Sequence, residues 1–186
     1  MAGKFKSLKG KFLLDGGKLQ GSFFHRTVVL ICHHDQEGAF GLVVNHPSET
    51  TVGEAIVADL PEVVKEQKLY IGGPVQSTAL SFLQSDAFLP EANVMPGLNL
   101  DHSLDELIEF GDSFSKSRKL KIFAGYAGWS PGQLDDEMKR GSWLTHQASI
   151  KQVFSEDPEN LWRIILRKKG WECKLMADSP DDLSWN

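Results

Sequence analysis

Residues 27–45 place the tightest constraint on what this chain can become. Thr27-Val-Val-Leu-Ile-Cys-His-His34 and Ala39-Phe-Gly-Leu-Val-Val-Asn45 are dense in β-branched and aromatic side chains, and only Asp35-Gln-Glu-Gly38 separates them. Such side chains suit a pleated, buried surface, and a short polar insert ending in glycine turns a chain back on itself. The spacing predicts two central strands, Thr27–His34 and Ala39–Asn45, paired antiparallel across the Asp35–Gly38 turn. His46-Pro47 is expected to stop the second, because proline cannot donate to a ladder. A chain organised around this pair must build a sheet.

The remaining segments fit the same frame. Phe12–Leu14, Lys68–Gly72, Ala79–Gln84 and Leu120–Tyr126 read as strands, and Asp15–Ser22 as a loop. Thr51-Val-Gly-Glu54 and Ser103-Leu-Asp-Glu106 have capping-box spacing and predict helices, the first through Ala58 and the second with Leu104, Leu107 and Ile108 on one face. Ser130-Pro-Gly-Gln133 predicts a helix from Pro131 to about Arg140. Asp157-Pro158 opens a last helix with Leu161, Ile164 and Ile165 inward, stopped at Gly170. Strands and helices do not alternate strictly, which favours an α+β fold. At 186 residues the chain reads as one domain, residues 1–186. Residues 1–11 form a basic N-terminal arm carrying Lys4, Lys6, Lys9 and Lys11, and residues 172–186 an acidic C-terminal tail.

Charge and composition narrow the function classes. Acidic residues outnumber basic ones 25 to 20, so no global cationic field is available to a nucleic acid. No helix-turn-helix or RNA-binding signature accompanies the small clusters at Lys4–Lys11 and at Arg163, Arg167, Lys168 and Lys169. Sequence-specific nucleic-acid binding is therefore not expected. The longest apolar run, Val28–Cys32, is far shorter than the ~20 residues of a membrane span. The basic N-terminus is followed by no apolar segment, and Cys32 and Cys173 are widely separated. These features predict a cytoplasmic protein with two reduced, unlinked thiols and no membrane partner.

Several residue groups could carry chemistry. Cys32 and His34 are the one local nucleophile–base pair. Two residues apart on a regular strand, they would share a face with Cα atoms about 6.6 Å apart. The alternative is a buried Cys serving as a small apolar residue. His33, His34 and Asp35 resemble metal ligands but diverge along a strand, so no metal is expected. Gly72-Gly73-Pro74 lacks both nucleotide fingerprints, and no cofactor is expected. The run Gly125–Gly132 sets Tyr126 and Trp129 among glycines, which suits either close approach of a ligand or aromatic packing over a turn. Gln133 and Glu137 fall one helical turn apart and could present an amide and a carboxylate together.

Three blocks together resemble the bacterial YqgE/AlgH family. They are Arg26–Cys32 with His34, Gly38–Asn45 and Pro47; Tyr70-Ile-Gly-Gly-Pro-Val-Gln76; and Gly125-Tyr-Ala-Gly-Trp-Ser-Pro-Gly-Gln-Leu134 with Glu137 and Trp143. The similarity runs from about Phe12 to Trp171. This chain departs from the family pattern at Asp15-Gly16-Gly17, Asp135 and His46. The resemblance implies an α+β fold with a strongly bent, barrel-like, mostly antiparallel sheet, no established activity, and a historical label of transcriptional regulator.

Each block follows a predicted strand, and strand ends are where a sheet gathers loops. One ligand cleft is therefore expected from Asn45, Pro47, Gly72, Gly73, Pro74, Gln76, Tyr126, Trp129 and Gln133, with Glu137 and Trp143 at its border. The favoured function is a binding or regulatory module for a small molecule or protein partner. The alternatives are a thiol-dependent hydrolase or transferase using Cys32 and, least favoured, a DNA-binding regulator.

Overall fold

A computed structural model describes residues 5–86, 92–115 and 117–180; Lys4 of the basic arm and the last six residues of the acidic tail lie outside them. The predicted hairpin is the middle of the sheet. Strand β2 (Val28–Asp35) pairs antiparallel with β3 (Gly38–Val43), and β1 (Lys11–Asp15) pairs with the other edge of β2. Strand β4 (Pro47–Thr51) starts at the proline expected to end the hairpin, and it pairs with β5 (Lys68–Ile71) through Pro47↔Tyr70. Proline is tolerated there because it is the first residue of an edge strand.

The remaining strands are β6 (Val75–Ser85), β7 (Asn99–Asp101), β8 (Lys119–Trp129) and β9 (Trp143–Gln147). Sequence reasoning shortens β6 and β8 and misses β7 and β9. Those two are short edge strands whose residues carry no clean alternation. The strand order is β4-β5-β8-β3-β2-β1-β9, with β6 on β8 and β7 on β6. Strand β8 joins two halves: β5 and β6 flank its first part, and β3 pairs with Ala127–Trp129. Among the described strands only β5 and β8 pair in parallel. The sheet is mixed and open, so the barrel-like form implied by the resemblance is not reached; the fold is α+β, with helices on the faces of one many-stranded sheet.

Three apolar clusters hold these layers. One face of the hairpin turns Val28, Leu30, Cys32, Leu42 and Val44 to Leu161, Trp162, Ile165 and Leu166 of α6 (Leu161–Arg167). The opposite face turns Val29, Ile31 and Val43 to α4 (Gln133–Lys139) and to Phe23 and Phe24. A third cluster packs Val52, Val64 and Leu107 against Leu69, Phe82 and Ile122. Its helices are α1 (Val52–Ala55), α2 (Glu62–Lys65) and α3 (Leu104–Asp112). A short α5 (Ile150–Val153) precedes α6. The helix expected to be last is followed, beyond Gly170 at φ 133°, by α7 (Trp171–Asp178), so the acidic tail is helical as far as Asp178.

Buried Asp15 winds the loop after β1. Its carboxylate accepts from the backbone N–H groups of Gly17 (2.8 Å), Leu19 (3.3 Å) and Arg26 (2.9 Å). A buried carboxylate is tolerable only when its lone pairs are met in this way. At the far end of the loop, Val28 N–H donates to Asn45 Oδ1 at 2.7 Å, and Asn45 Nδ2 donates to the Arg26 carbonyl at 3.0 Å. Asn45 thus fixes where the loop re-enters the sheet.

Candidate functional site

The candidate Cys32–His34 pair does not form, and Cys32 is the buried apolar residue of the alternative reading. The register of β2 against β3 slips between Ile31 and His33, leaving Cys32 as the extra residue of a β-bulge. Cys32 therefore stays with Leu30 on the α6 face, whereas His34 lies opposite Ala39 on the α4 face. There His34 Nδ1 accepts from the Leu8 N–H at 3.0 Å. Burial pushes the Cys32 thiol pKa far up, so it stays protonated at neutral pH. His33 instead pairs with Asp35 at 2.7 Å on the surface. Both cysteines are free, Cys32 buried and Cys173 half-buried. With Ellman's reagent the native protein is expected to release one fast equivalent, from Cys173, and a second only on denaturation. Two fast equivalents in the native state would place Cys32 at the surface.

Gly72 and Gly73 meet the backbone of β8. A Cβ on Gly73 would lie 2.0 Å from the Tyr126 carbonyl carbon, and one on Gly72 would lie 2.3 Å from the Gly125 oxygen. Gly125 itself sits mid-strand at φ 73°. The glycines of these two blocks thus answer each other: two main chains cross too closely for any side chain. Val43 N–H donates to the Gly72 carbonyl (2.8 Å) and Gly72 N–H to the Ala124 carbonyl (2.9 Å), joining β3 to β8 through the crossing.

Glu137 is the centre of a second cluster, on the α4 face. Its Oε2 accepts from the indole N–H of Trp129 (2.9 Å) and from that of Trp143 (2.8 Å), while Oε1 accepts from Gln133 Nε2 (3.0 Å). Gln133 Oε1 in turn accepts from the Ser130 N–H, so the amide closes the turn into α4. The helix begins at Gln133 behind Gly132 (φ 74°), two residues later than its proline predicts. Phe24 stacks beside Trp129 at 6.4 Å and edge-on to Trp143 at 5.5 Å. A single carboxylate thereby ties the ends of β8 and β9 to α4.

The residues expected to line one cleft therefore divide. Trp129, Gln133, Glu137 and Trp143 come together on one face. Tyr126 lies on the other, stacked on Phe40 at 5.0 Å, and Asn45 is committed to backbone groups. Pro47 is held in the β4–β5 pairing, and exposed Pro74 and Gln76 follow the crossing.

A cleft does open beside that crossing. Val75 pairs with Tyr126 and Leu80 with Ala124, so four residues, Gln76–Ala79, stand opposite Gly125 alone. The excess lifts the chain off β8, helped by Gln76 at φ 45°. Beneath it lies a cleft of ≈ 510 Å³ lined by Ile56, Val57, Leu69, Ala79, Leu80, Leu104 and Ala124, with Ser77, Thr78 and His102 as its polar groups. Val57 is fully exposed at its rim, and Leu104, predicted to face the core, is 37 % exposed. His102 makes its protein hydrogen bonds through Nδ1, to Ser81 Oγ (2.9 Å) and the Leu80 carbonyl (3.4 Å).

A separate pocket of ≈ 330 Å³ lies over Lys121, among Tyr70, Phe114, Arg118, Lys119 and Phe154. Lys121 is 5 % exposed, donates to the Val44 carbonyl at 2.9 Å and lies 4.0 Å over the Tyr70 ring.

Comparison with known proteins places this architecture. The model of the AlgH-like family matches residues 12–174, nearly the whole described chain. The chain belongs to the AlgH-like family. A UPF0301 protein of Chlorobaculum parvum is 40 % identical over 187 residues, covering 97 % of each chain, and one of Chlorobium luteolum is 39 % identical over 175 residues, covering 92 % of this chain and 91 % of that one. The solution structure of the AlgH protein from Pseudomonas aeruginosa superposes with a TM-score of 0.70 at 28 % identity, covering 95 % of this chain and 98 % of that one. Protein DIP2367 from Corynebacterium diphtheriae shares the fold with a TM-score of 0.76 at 22 % identity, covering 95 % and 94 %.

In this AlgH-like chain the blocks that carry the resemblance are the β2–β3 hairpin, the crossing and the Glu137 cluster, while the two cavities lie beside them. Sequence reasoning passed over His102, Leu104 and Lys121. Leu104 was hidden because its spacing matches a core face. Lys121 did leave a signal: a lone cation inside the apolar run Leu120-Lys-Ile-Phe-Ala124.

Proposed function

We propose that this AlgH-like protein is a binding module whose ligand occupies the cleft between the Gln76–Ala79 bulge, the end of α1 and the start of α3. One observation carries the reading: an apolar cleft of ≈ 510 Å³ with three polar groups at its wall, flanked by the exposed side chains Val57 and Leu104. Ligand sites commonly have ~300–1,000 Å³ and a mostly apolar lining with few polar groups. The occupant that fits is a small, largely apolar molecule bearing one hydrogen-bonding group for His102 Nε2 or the Ser77 and Thr78 hydroxyls. The backbone crossing beneath it makes the cleft a rigid, preformed shape, which lowers the entropy lost on binding.

A thiol-dependent enzyme is the weaker reading, because Cys32 is buried, protonated and turned away from His34. Among the described residues no helix is long and apolar enough to cross a membrane.

The test is a fragment screen by thermal shift and ligand-observed NMR, run in parallel on the native chain and on Leu104→Glu. Because Leu104 is partly exposed at the first position of α3, the variant should keep its melting temperature within a few degrees. Fragment affinity should fall by roughly tenfold as a charge enters the apolar wall. Equal binding by both proteins contradicts the assignment.

A further inference from the structure

The pocket over Lys121 is independent of the proposed cleft, and its charge pattern is unusual. Lys121 sits on β8 at the register position opposite Leu83, with its ammonium buried. An ammonium has three N–H donors. The Val44 carbonyl takes one and the Tyr70 ring face another, and among the described residues no carboxylate forms an ion pair with it. Burial alone lowers its pKa to about 7, so burying the charge is costly and near neutral pH only part of the population carries it. An apolar side chain of the same length would avoid that cost.

The lining explains what could offset it. Among the described residues none that lines the pocket is acidic, whereas Lys68 and Lys119 are exposed at its mouth. Arg118 is already matched, by Asp86 at 3.3 Å and by Ser113 Oγ at 2.6 Å. Among the described residues, Lys68, Lys119 and the protonated form of Lys121 have no carboxylate partner, so one anion of single charge leaves cations unmatched. Phe114 and Phe154 supply an apolar wall beside the cations.

We infer that this pocket binds a phosphate monoester, its dianionic group between Lys121, Lys119 and Lys68 and its apolar part against Phe114 and Phe154. A phosphomonoester carries about −1.5 to −2 at pH 7 and three acceptor oxygens. That matches the number of donors and the charge surplus, as a carboxylate does not. Lys121 supplies the contact that only a bound anion can complete, while Lys68 and Lys119 steer the ligand from the mouth.

Titration of the 15N-labelled full chain with phenyl phosphate, inorganic phosphate and benzoate tests this. Saturable shifts are expected at the amides of Lys68, Tyr70, Lys119 and Lys121, with phenyl phosphate binding more tightly than either comparator. Lys121→Met, which removes the charge but keeps the length, should retain the native amide spectrum and lose roughly tenfold or more in affinity. Should that variant fail to fold, the doubly substituted Lys68→Gln, Lys119→Gln chain, altered only at exposed positions, should still lose several-fold. Absence of saturation with phenyl phosphate overturns the proposal, as does unchanged affinity in the variants. Tighter binding of benzoate than of phenyl phosphate overturns it in favour of a carboxylate ligand. The proposed cleft is tested by other residues, so either site can fail alone.

Discussion

Gly73→Ala is expected to cost this protein its native fold. The new methyl group would be placed 2.0 Å from the Tyr126 carbonyl carbon and 2.1 Å from its oxygen, so backbone, not a flexible side chain, must move. Separating the strands breaks the bonds from Val43 N–H to Gly72 and from Gly72 N–H to Ala124. Losses above about 4 kcal/mol are the signature of this kind of clash, and a typical domain has only about 5–15 kcal/mol to lose. Expression of the variant should yield insoluble or unfolded protein by circular dichroism. Gly132→Ala is the contrasting control: unlike Gly73 it sits at a left-handed φ, 74°, but no atom lies within 4 Å of the added carbon. It should cost only about 1–2 kcal/mol. A folded Gly73→Ala variant of near-native stability would mean the crossing is looser than described.

Trp129→Ala should be the next most damaging change. The indole is 7 % exposed, packs on Phe24 and Trp143, and donates to Glu137. Emptying such a site costs about 3–5 kcal/mol, or about 6–20 °C in melting temperature for a domain of this size. Glu137→Gln keeps the shape but leaves one acceptor oxygen for three donors, the two indole N–H groups and Gln133 Nε2, so about 1–3 kcal/mol is expected. The double variant should lose less than the sum, because removing Trp129 also removes one of those donors. Calorimetric melts of the four proteins measure this. Additive losses would mean that the indole–carboxylate bonds contribute little. If both single variants melt like the parent, the cluster is not the structural tie described above, and a ligand role for Trp129 and Glu137 regains its appeal.

Much of the fold was legible because hydrophobic period and turn chemistry act locally. The β2–β3 hairpin follows from Thr27–Asn45, and the Glu54 carboxylate reaches back to the Thr51 N–H at 2.8 Å as the capping-box spacing predicts. Errors arise where long-range packing overrides a local rule. The bulge at Cys32 reverses the side-chain parity of β2, and no residue type in 31–34 announces it. Pro47 opens a strand because its missing N–H falls on a sheet edge. The glycine-rich blocks stand out in the sequence, yet their structural need is mutual: Gly72 and Gly73 are required by Gly125 and Tyr126, about fifty residues away in the chain. No single-sequence pattern reveals such a crossing. Likewise, Trp129 and Tyr126 share a motif but, three residues apart on a strand, face opposite layers. The cleft arises from a mismatch of four residues against one between β6 and β8, which becomes visible only once both strands are in register.

The proposed function puts binding at the Gln76–Ala79 bulge, while the glycine- and tryptophan-rich motifs hold the fold. Amide chemical-shift mapping tests it directly, using the 15N-labelled chain and a small aromatic alcohol such as 4-ethylphenol as probe. Saturable shifts are expected at Ser77–Leu80, His102, Leu104 and Ala124, with Trp129, Gln133, Glu137 and Trp143 unmoved. Saturable shifts centred on those four residues, with the cleft amides silent, would contradict it.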